Sequence, residues 1–167
     1  MYAVKFPKNI QKKLQALNEM GIDNEVFVDK LEESLAREYK KQLLRHIENQ
    51  DFNWKELSPD YLKYKQEKGL FEKIWKSTGL LKESIEVFKT EQGTWFAGIQ
   101  GNAKYPDGTS IPMVALVHEF GSPSRGIPAR PLFRRTRQVM LKNINKFVRT
   151  ENKKHIKYLV NKINKIK

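Results

Sequence analysis

The spacing of apolar residues predicts helices over the first third of the chain. Residues 7–21 carry apolar side chains on one helical stripe, with Pro7 suited to the first turn and Gly21 to the end. A longer helix is expected to start at Asp23 or Asn24, since either side chain can cap it. Its apolar positions recur at intervals of three and four residues: Val28, Leu31, Leu35, Tyr39, Leu43 and Ile47. This stripe is the strongest helical signal in the sequence and predicts one wall of the core.

The middle of the chain changes from a helical to an alternating period. Ser58 and Pro59 mark the start of a further helix, because a hydroxyl can cap it and proline fits its first turn. A short helix is predicted over residues 78–83. Residues 85–99 then alternate in polarity around a central turn, which predicts a β-hairpin.

Beyond the hairpin, turn residues and prolines decide the prediction. Residues 101–110 have the composition of a loop. Residues 112–120 fit either a strand or a short helix, and we favour the helix because Ser110 can cap it and Gly121 can end it. Residues 121–131 are predicted to be extended, since each proline disfavours the helical conformation of the residue before it.

A long helix is predicted from Pro131 onward, and its polar residues 150–155 leave a break open. The predicted fold class is therefore α+β, with N-terminal helices, a small antiparallel β-sheet or hairpin, and a long basic C-terminal helix. We divide the chain into a neutral body, residues 1–130, and a basic helical arm, residues 131–167.

The net charge is concentrated at the C-terminal end. Residues 121–167 contain 14 Lys and Arg and one acid, Glu151, a net charge of 14 − 1 = +13, whereas residues 1–120 contain 18 basic and 18 acidic side chains. This asymmetry predicts contact with a polyanion or an acidic protein surface, although a solvated helix face is a third explanation. The basic residues concerned are Arg125, Arg134, Arg135, Arg137, Lys142, Lys146, Arg149, Lys153, Lys154 and Lys157.

Composition excludes several classes of protein. The chain has no cysteine, which removes disulfides and thiolate metal sites. No apolar run approaches the roughly 20 residues of a membrane span. Charge appears too early in the first residues for a signal peptide, so we expect assembly in the cytoplasm and no membrane partner.

His118 and Glu119 are the first candidates for catalysis. A zinc protease would need a second histidine one helical turn away, and His46 and His155 lie far along the chain. An acid–base pair would need a second titrating group beside Glu119, which the sequence does not supply. We therefore expect no catalytic residue, no metal and no cofactor. Instead, Glu119 or His118 is expected to tie the helix end to a neighbouring arginine.

The three tryptophans and the scattered glycines add no further chemistry. Trp54, Trp75 and Trp95 flank predicted elements, where large rings most often fill a core or a subunit contact. A base-stacking platform would interleave aromatic and basic residues, which this sequence does not do. The glycines occur singly, so there is no phosphate-binding loop.

Four sequence blocks carry a resemblance to a known family. They are Trp54…Leu57-Ser58-Pro59…Lys65, then Ser77-Thr78-Gly79-Leu80-Leu81…Ser84, then Val117-His118-Glu119-Phe120-Gly121, then Ile127-Pro128-Ala129-Arg130-Pro131-Leu132-Phe133. In this order around a β-hairpin, they resemble the virion morphogenesis (tail-completion) proteins of tailed bacteriophages and the related head–tail connector and minor tail proteins. The resemblance spans residues 54–135. One departure is the long loop at residues 101–113, where the family has a tighter turn.

The resemblance implies a non-enzymatic structural protein at the virion neck that acts in tail completion and head–tail joining. Copies would form a homo-oligomeric ring, sixfold by the resemblance, that meets neighbouring neck and tail-terminator proteins and surrounds the DNA channel, with non-specific DNA contact. The structural or interface residues it implies are Trp54, Gly79, His118, Glu119, Phe120, Gly121, Pro128, Arg130 and Pro131.

Within these blocks, Arg130 is the residue we expect to form an ordered salt bridge, with Glu119 as its candidate partner and solvent exposure as the alternative. The proline-rich residues 121–131 cannot form a central strand, because proline lacks the backbone donor, so they fit a sheet edge or a subunit contact. The rival function is a free nucleic-acid-binding protein that uses the basic arm. A hydrolase centred on His118 and Glu119 is the third.

Overall fold

The computed structural model describes residues 24–164 and shows a mixed α+β fold, as predicted. The elements, in chain order, are α1 (Asn24–Asn49), α2 (Pro59–Glu67), α3 (Leu80–Glu83), β1 (Ile85–Lys89), β2 (Trp95–Ile99), α4 (Ile111–Phe120), a single 3-10 turn (Pro123–Arg125) and α5 (Phe133–Asn164). The helix predicted for residues 7–21 lies outside the described residues. None of the helices in the described range is long and apolar enough to cross a bilayer.

Helices α1 and α5 run antiparallel and form the frame of the fold. Tyr39 of α1 donates to the backbone carbonyl of Phe133 at the start of α5, at 2.8 Å. Earlier in α1, Leu35 packs against Ile144, and Phe27 stacks on His155 near the far end of α5. The 3–4 spacing of leucines in α1 buries one face against α5 and the hairpin, at about 2 kcal/mol per buried side chain.

The hairpin packs against α1 and closes the core. Strands β1 and β2 pair antiparallel, with Ile85 opposite Ile99 and Lys89 opposite Trp95. Ile85 and Ala97 point inward and are buried. The indole N–H of Trp95 donates to the carboxylate of Asp29 in α1 at 2.9 Å.

The helix interpretation of residues 112–120 is correct. Ser110 caps α4 through its hydroxyl, which accepts from the backbone N–H of Met113 at 3.4 Å, and Gly121 follows the last turn. The open question at residues 150–155 is also answered, because α5 continues through them as one helix.

The expectation of a fully extended segment at residues 121–131 is wrong for its first half. Pro123–Arg125 forms a 3-10 turn, closed by antiparallel pairing of Ser122 with Ile127. Gly126 permits this turn, since its φ of 64° lies in the left-handed region. Proline at the first turn position fits a tight helical turn as well as an extended chain, which is why the composition misled the prediction. The chain is extended only from Ile127 to the start of α5.

Candidate functional site

A buried carboxylate closes the N-terminus of α5. The side chain of Glu119, in the last turn of α4, is 1% exposed. Its oxygens accept hydrogen bonds from the backbone N–H groups of Leu132 at 2.7 Å, Phe133 at 3.0 Å and Arg134 at 3.0 Å. A helix leaves these first donors without intrahelical partners, and its dipole favours a negative charge beside them. Glu119 therefore fastens α4 to α5.

Arg134 is the arginine that pairs with this carboxylate. Its Nε lies 3.1 Å from Oε1 of Glu119, and its Nη2 donates to the Glu119 carbonyl oxygen at 2.9 Å. The guanidinium also lies over the ring of Phe120, 4.8 Å from the ring centroid. The expectation that Glu119 or His118 ties the end of α4 to an arginine is confirmed for Glu119.

Arg130 does not pair with Glu119, and it is not exposed to solvent. Its side chain is 5% exposed, and its Nε and Nη2 donate to the backbone carbonyls of Lys55 at 2.7 Å and Glu56 at 2.8 Å. Its own N–H donates to the carbonyl of His118 at 2.7 Å. Both sequence-based expectations for Arg130 are wrong, because the loop before α2 supplies carbonyls that need donors and the extended segment delivers the guanidinium to them.

Two tryptophans hold the residues on which α5 starts. The indole of Trp75 donates to the carbonyl of Arg130 at 2.8 Å, and that of Trp54 donates to the carbonyl of Pro131 at 2.9 Å. Both rings are buried, so the core interpretation of these two tryptophans is confirmed. Side chains thus hold the backbone of residues 130–134, which lead into the first turn of α5. We call Trp54, Trp75, Glu119 and residues 130–134 together the α4–α5 junction.

Gly121 allows two backbone segments to approach each other closely next to this junction. Its φ is 79°, and a Cβ placed there would lie 2.8 Å from both the nitrogen of Ala129 and the carbonyl oxygen of Ile127. Its N–H donates to the carbonyl of Val117 at 2.8 Å, which ends α4. Pro128, half-buried, lies in the irregular segment that passes Gly121. The glycine in this block is therefore a requirement of backbone packing.

His118 is a half-buried, neutral histidine. Its ring packs on Trp75, with the centroids 5.0 Å apart, and its Nδ1 is buried without a hydrogen-bond partner. Burial, followed by the nearby charges of Arg130 and Lys65, lowers the pKa of His118 to about 4. The imidazole is therefore uncharged near neutral pH.

Lys65 organises the loop that follows α2. Its side chain is buried, and the ammonium donates to the carbonyls of Phe71 at 2.8 Å, Lys73 at 2.9 Å and Lys76 at 3.1 Å. Burial lowers the pKa of Lys65, and the neighbouring Arg130 lowers it as well. Lys65 belongs to the first sequence block, but its role was not foreseen, because its partners are backbone groups.

A second polar cluster lies where the same loop meets α1. The carboxylate of Glu48 accepts from Lys73 at 2.9 Å, Lys76 at 3.0 Å and Lys82 at 2.5 Å. Hydrogen bonds from Lys82, then Lys73 and Lys76, hold the pKa of Glu48 at about 2. Four residues from α1, the loop and α3 are thereby joined at a half-exposed site.

Gly79 is not part of the junction. It precedes α3 with a φ of 104°, and a Cβ there would lie 3.2 Å from Oε1 of Glu83. Its role in the second block is to precede a one-turn helix with a positive φ, which residues that carry a side chain rarely adopt.

The ten C-terminal basic residues that the sequence singled out for contact with a polyanion or an acidic partner divide into two groups. Three are engaged within the chain: Arg134 with Glu119, Arg135 with the carbonyl of Phe52, and Lys154 with Glu151 at 2.7 Å. The others are exposed: Arg125, Arg137, Lys142, Lys146, Arg149, Lys153 and Lys157. The last five of these follow one another at intervals of three and four residues on the outward side of α5, and we call them the cationic stripe.

An apolar surface lies on the outward side of α4. Met113 is 59% exposed, Leu116 42% and Phe120 49%, and their spacing places them on one helical face, which we call the α4 face. Beside it, a groove of about 100 Å³ separates Pro112 and Leu116 from Phe88 and Phe96 on the hairpin. The two phenylalanines stack with their centroids 5.9 Å apart.

The clearest His–carboxylate pair in the described range is His46 with Asp51. Nδ1 of His46 lies 2.5 Å from the Asp51 carboxylate, and its ring stacks on Phe52. Its Nε2 is buried and makes no hydrogen bond, so no hydroxyl in the described part of the chain is held ready for activation by it. Over those same residues, no group of three or more metal-ligating side chains converges.

The chain is similar to an uncharacterized protein, MJ0331, of Methanocaldococcus jannaschii. The two are 28% identical over 136 residues, which cover 76% of this chain and 94% of that protein. No protein-family model and no solved structure matches the chain. The fold and the junction define an α+β protein in which residues of three of the four sequence blocks hold α4 and α5 together.

Proposed function

We propose that this chain is a structural protein of a tailed-phage virion, or of a phage tail-like particle, and acts in head–tail joining at the neck as one subunit of a homo-oligomeric ring. The observation that carries the proposal is the convergence of the sequence blocks. Trp54 of the first block, Glu119 of the third and Arg130 of the fourth meet in the α4–α5 junction, although up to 77 residues separate the bonded partners.

The junction supports a mechanical role. It sets where α5 leaves the body, because the backbone at residues 130–134 is held by two indoles and one carboxylate. Each of these bonds contributes about 1 kcal/mol, and more where the charged Glu119 accepts them. A ring subunit must present its surfaces at fixed angles, since small errors in direction prevent closure.

The chemistry of the junction favours assembly over catalysis. The carboxylate of Glu119 is occupied by backbone donors and by Arg134, and the guanidinium of Arg130 by two carbonyls. His118 remains neutral because its pKa is about 4. A general acid or base would need a pKa nearer the working pH and a path to a substrate.

Subunit contacts are expected on the neutral body, and the α4 face is the surface that suits them. Copies of α5 repel one another, because residues 121–167 carry a net charge of 14 − 1 = +13, whereas residues 1–120 sum to 18 − 18 = 0. The exposed residues of the α4 face, Met113, Leu116 and Phe120, are uncharged and apolar. A second copy of this chain is the occupant we assign to this face and to the groove beside it.

The proposal is tested by deleting the gene from the phage or prophage genome that carries it and examining the particles by electron microscopy. Filled heads and finished tails that remain separate, and that join when the wild-type protein is supplied, are the expected result. Normal joined particles without this protein would overturn the proposal.

The second candidate function is a free nucleic-acid-binding protein. The cationic stripe favours it, since its charges are exposed and unopposed on α5. The particle experiment separates the two functions, because a free nucleic-acid-binding protein would leave the joining of heads and tails intact.

A further inference from the structure

The outward side of α5 differs in composition from a protein-binding surface. The cationic stripe runs from Lys142 to Lys157, about 22 Å at 1.5 Å per residue. The acid of α5, Glu151, lies off this side, is only partly exposed and binds Lys154. Between the charges lie exposed polar side chains, Asn145 and Thr150 among them. One exposed apolar side chain, Ile156, lies next to Lys157, and no aromatic residue is interleaved with the stripe between Lys142 and Lys157.

Protein–protein interfaces are depleted in lysine and are built around aromatic and apolar anchors. The stripe shows the opposite composition, four lysines and one arginine. Lysine acts on a phosphate as a point charge, while amide and hydroxyl side chains such as Asn145 and Thr150 are common donors to phosphate oxygens. Single-stranded nucleic acid would require stacking platforms, which this side of the helix lacks.

We propose that the cationic stripe of α5 binds the phosphate backbone of duplex DNA without reading its sequence. A straight helix can follow one face of a duplex, which carries one charge per roughly 1.7 Å of its axis, so more phosphates than cations lie within reach over this length. The inference rests on the charge distribution of α5 and does not require the ring. Within the proposed function, it assigns α5 to the DNA-facing side of the neck.

The test is the salt dependence of binding of the full-length protein to a random-sequence duplex. Each phosphate contact contributes a slope of about −0.9 to log K against log salt, so five contacts predict about −4.5 and a loss of roughly 500-fold in affinity between 50 and 200 mM salt. The stripe variant changes Lys142, Lys146, Arg149, Lys153 and Lys157 to Gln. Its slope is expected to be shallower by about 4.

The matched control removes the same charge from exposed positions on the body, by changing Arg45, Lys55, Lys63, Lys68 and Lys104 to Gln. Its slope is expected to stay within about 1 of the wild type. A third variant, with the four stripe lysines changed to Arg, keeps the charge and should retain binding. Circular dichroism verifies that each variant remains helical, which Gln favours on a helix surface.

If the salt slope becomes shallower by the same amount in the stripe and control variants, the proposal is overturned, because DNA binding would then depend on net charge alone. If the stripe variant binds the duplex as well as the wild-type protein does, the proposal is overturned too. That result would favour an acidic protein surface as the partner of α5. The result is independent of the particle experiment, so each proposal can fail without the other.

Discussion

Glu119 and Arg134 form an ion pair in which the acid is buried and the base is half-exposed, with Nε of Arg134 3.1 Å from Oε1 of Glu119. The same carboxylate accepts from three backbone N–H groups at the start of α5. Because both partners lie at helix ends, the pair couples the direction of α5 to that of α4. The junction is therefore the part of the fold where single substitutions are expected to have the largest effects.

Changing Glu119→Ala should destabilise the protein by about 3 kcal/mol, because three N–H groups lose a charged acceptor in a site that water reaches poorly. The measurement is the free energy of unfolding from urea denaturation. Glu67→Ala is the control, since the carboxylate of Glu67 is 62% exposed and lies 4.0 Å from Lys63. Its effect should stay within about 0.5 kcal/mol. Equal effects of the two variants would contradict the structural role of Glu119.

Gly121→Ala should be much more damaging than Gly126→Ala, although both glycines have a positive φ. At Gly121 the new Cβ would lie 2.8 Å from backbone atoms of Ala129 and Ile127, whereas at Gly126 nothing lies within 4 Å. We expect Gly126→Ala to destabilise the protein by about 1 kcal/mol, from left-handed strain alone. Gly121→Ala should destabilise it by at least about 3 kcal/mol, because the backbone clash adds to that strain. Thermal unfolding of the two variants measures the difference. Similar melting temperatures would show that the backbone of residues 127–129 does not approach Gly121 this closely.

The half-buried His118 predicts a specific loss of stability in acid. The pKa of His118 is about 4 in the folded protein, against 6.5 for an unperturbed histidine, so the unfolded chain binds more protons between these values. Stability should fall as the pH drops from 6.5 to about 4, by up to about 3 kcal/mol from this group. His118→Phe should flatten the profile in this window.

Glu48 gives an internal reference for that pH profile. Its pKa of about 2 lies below the usual 4.5, so its contribution is present above pH 4.5 and is lost as the pH falls towards 2. The His118→Phe variant should keep this lower phase. A profile between pH 6.5 and 4 that His118→Phe leaves unchanged would show that the imidazole is not held neutral by burial.

The buried ammonium of Lys65 should be essential for the loop after α2. Lys65→Met keeps much of the side-chain volume but leaves the carbonyls of Phe71, Lys73 and Lys76 without their donor. We expect Lys65→Met to lower the free energy of unfolding by about 3 kcal/mol. Lys68→Met, at an exposed neighbouring position, should change it by no more than about 0.5 kcal/mol. Hydrogen exchange should show the loop opening first in the Lys65 variant. Equal exchange in both variants would contradict this account.

The α4 face should mediate self-association. Leu116→Gln is expected to weaken assembly at least tenfold, because the leucine side chain is a central apolar group of the face. Tyr64→Gln is the control, since it removes an equally exposed large side chain from α2. Sedimentation velocity over a range of concentrations measures both. Loss of assembly in the control, or in neither variant, would place the subunit contact elsewhere.

Local patterns predicted the elements of this fold well. The 3–4 leucine spacing of α1, the Ser58 and Ser110 caps and the alternation of the hairpin are all present as expected. Each of these signals depends on residues within a few positions of one another, so a single sequence carries it.

The partners at the junction could not be predicted in the same way. Glu119 was expected to meet an arginine, but the choice between Arg130 and Arg134 depends on the path of the chain between them, where a 3-10 turn replaces an extended strand. Trp75 donates to a carbonyl 55 residues away, and its own φ of 63° gives no sequence signal. Hydrogen bonds to backbone carbonyls leave no mark in side-chain composition, which is why Lys65 was missed as well.

The most direct test of the central claim, that this chain is a structural subunit of the virion neck, is its location on purified particles. Particles produced by the genome that encodes it should be labelled with antibody against this protein and examined by electron microscopy. The account predicts label at the head–tail junction and nowhere along the tail. Label absent from the particles, with the protein recovered in the nucleic-acid fraction of the cell, would contradict it.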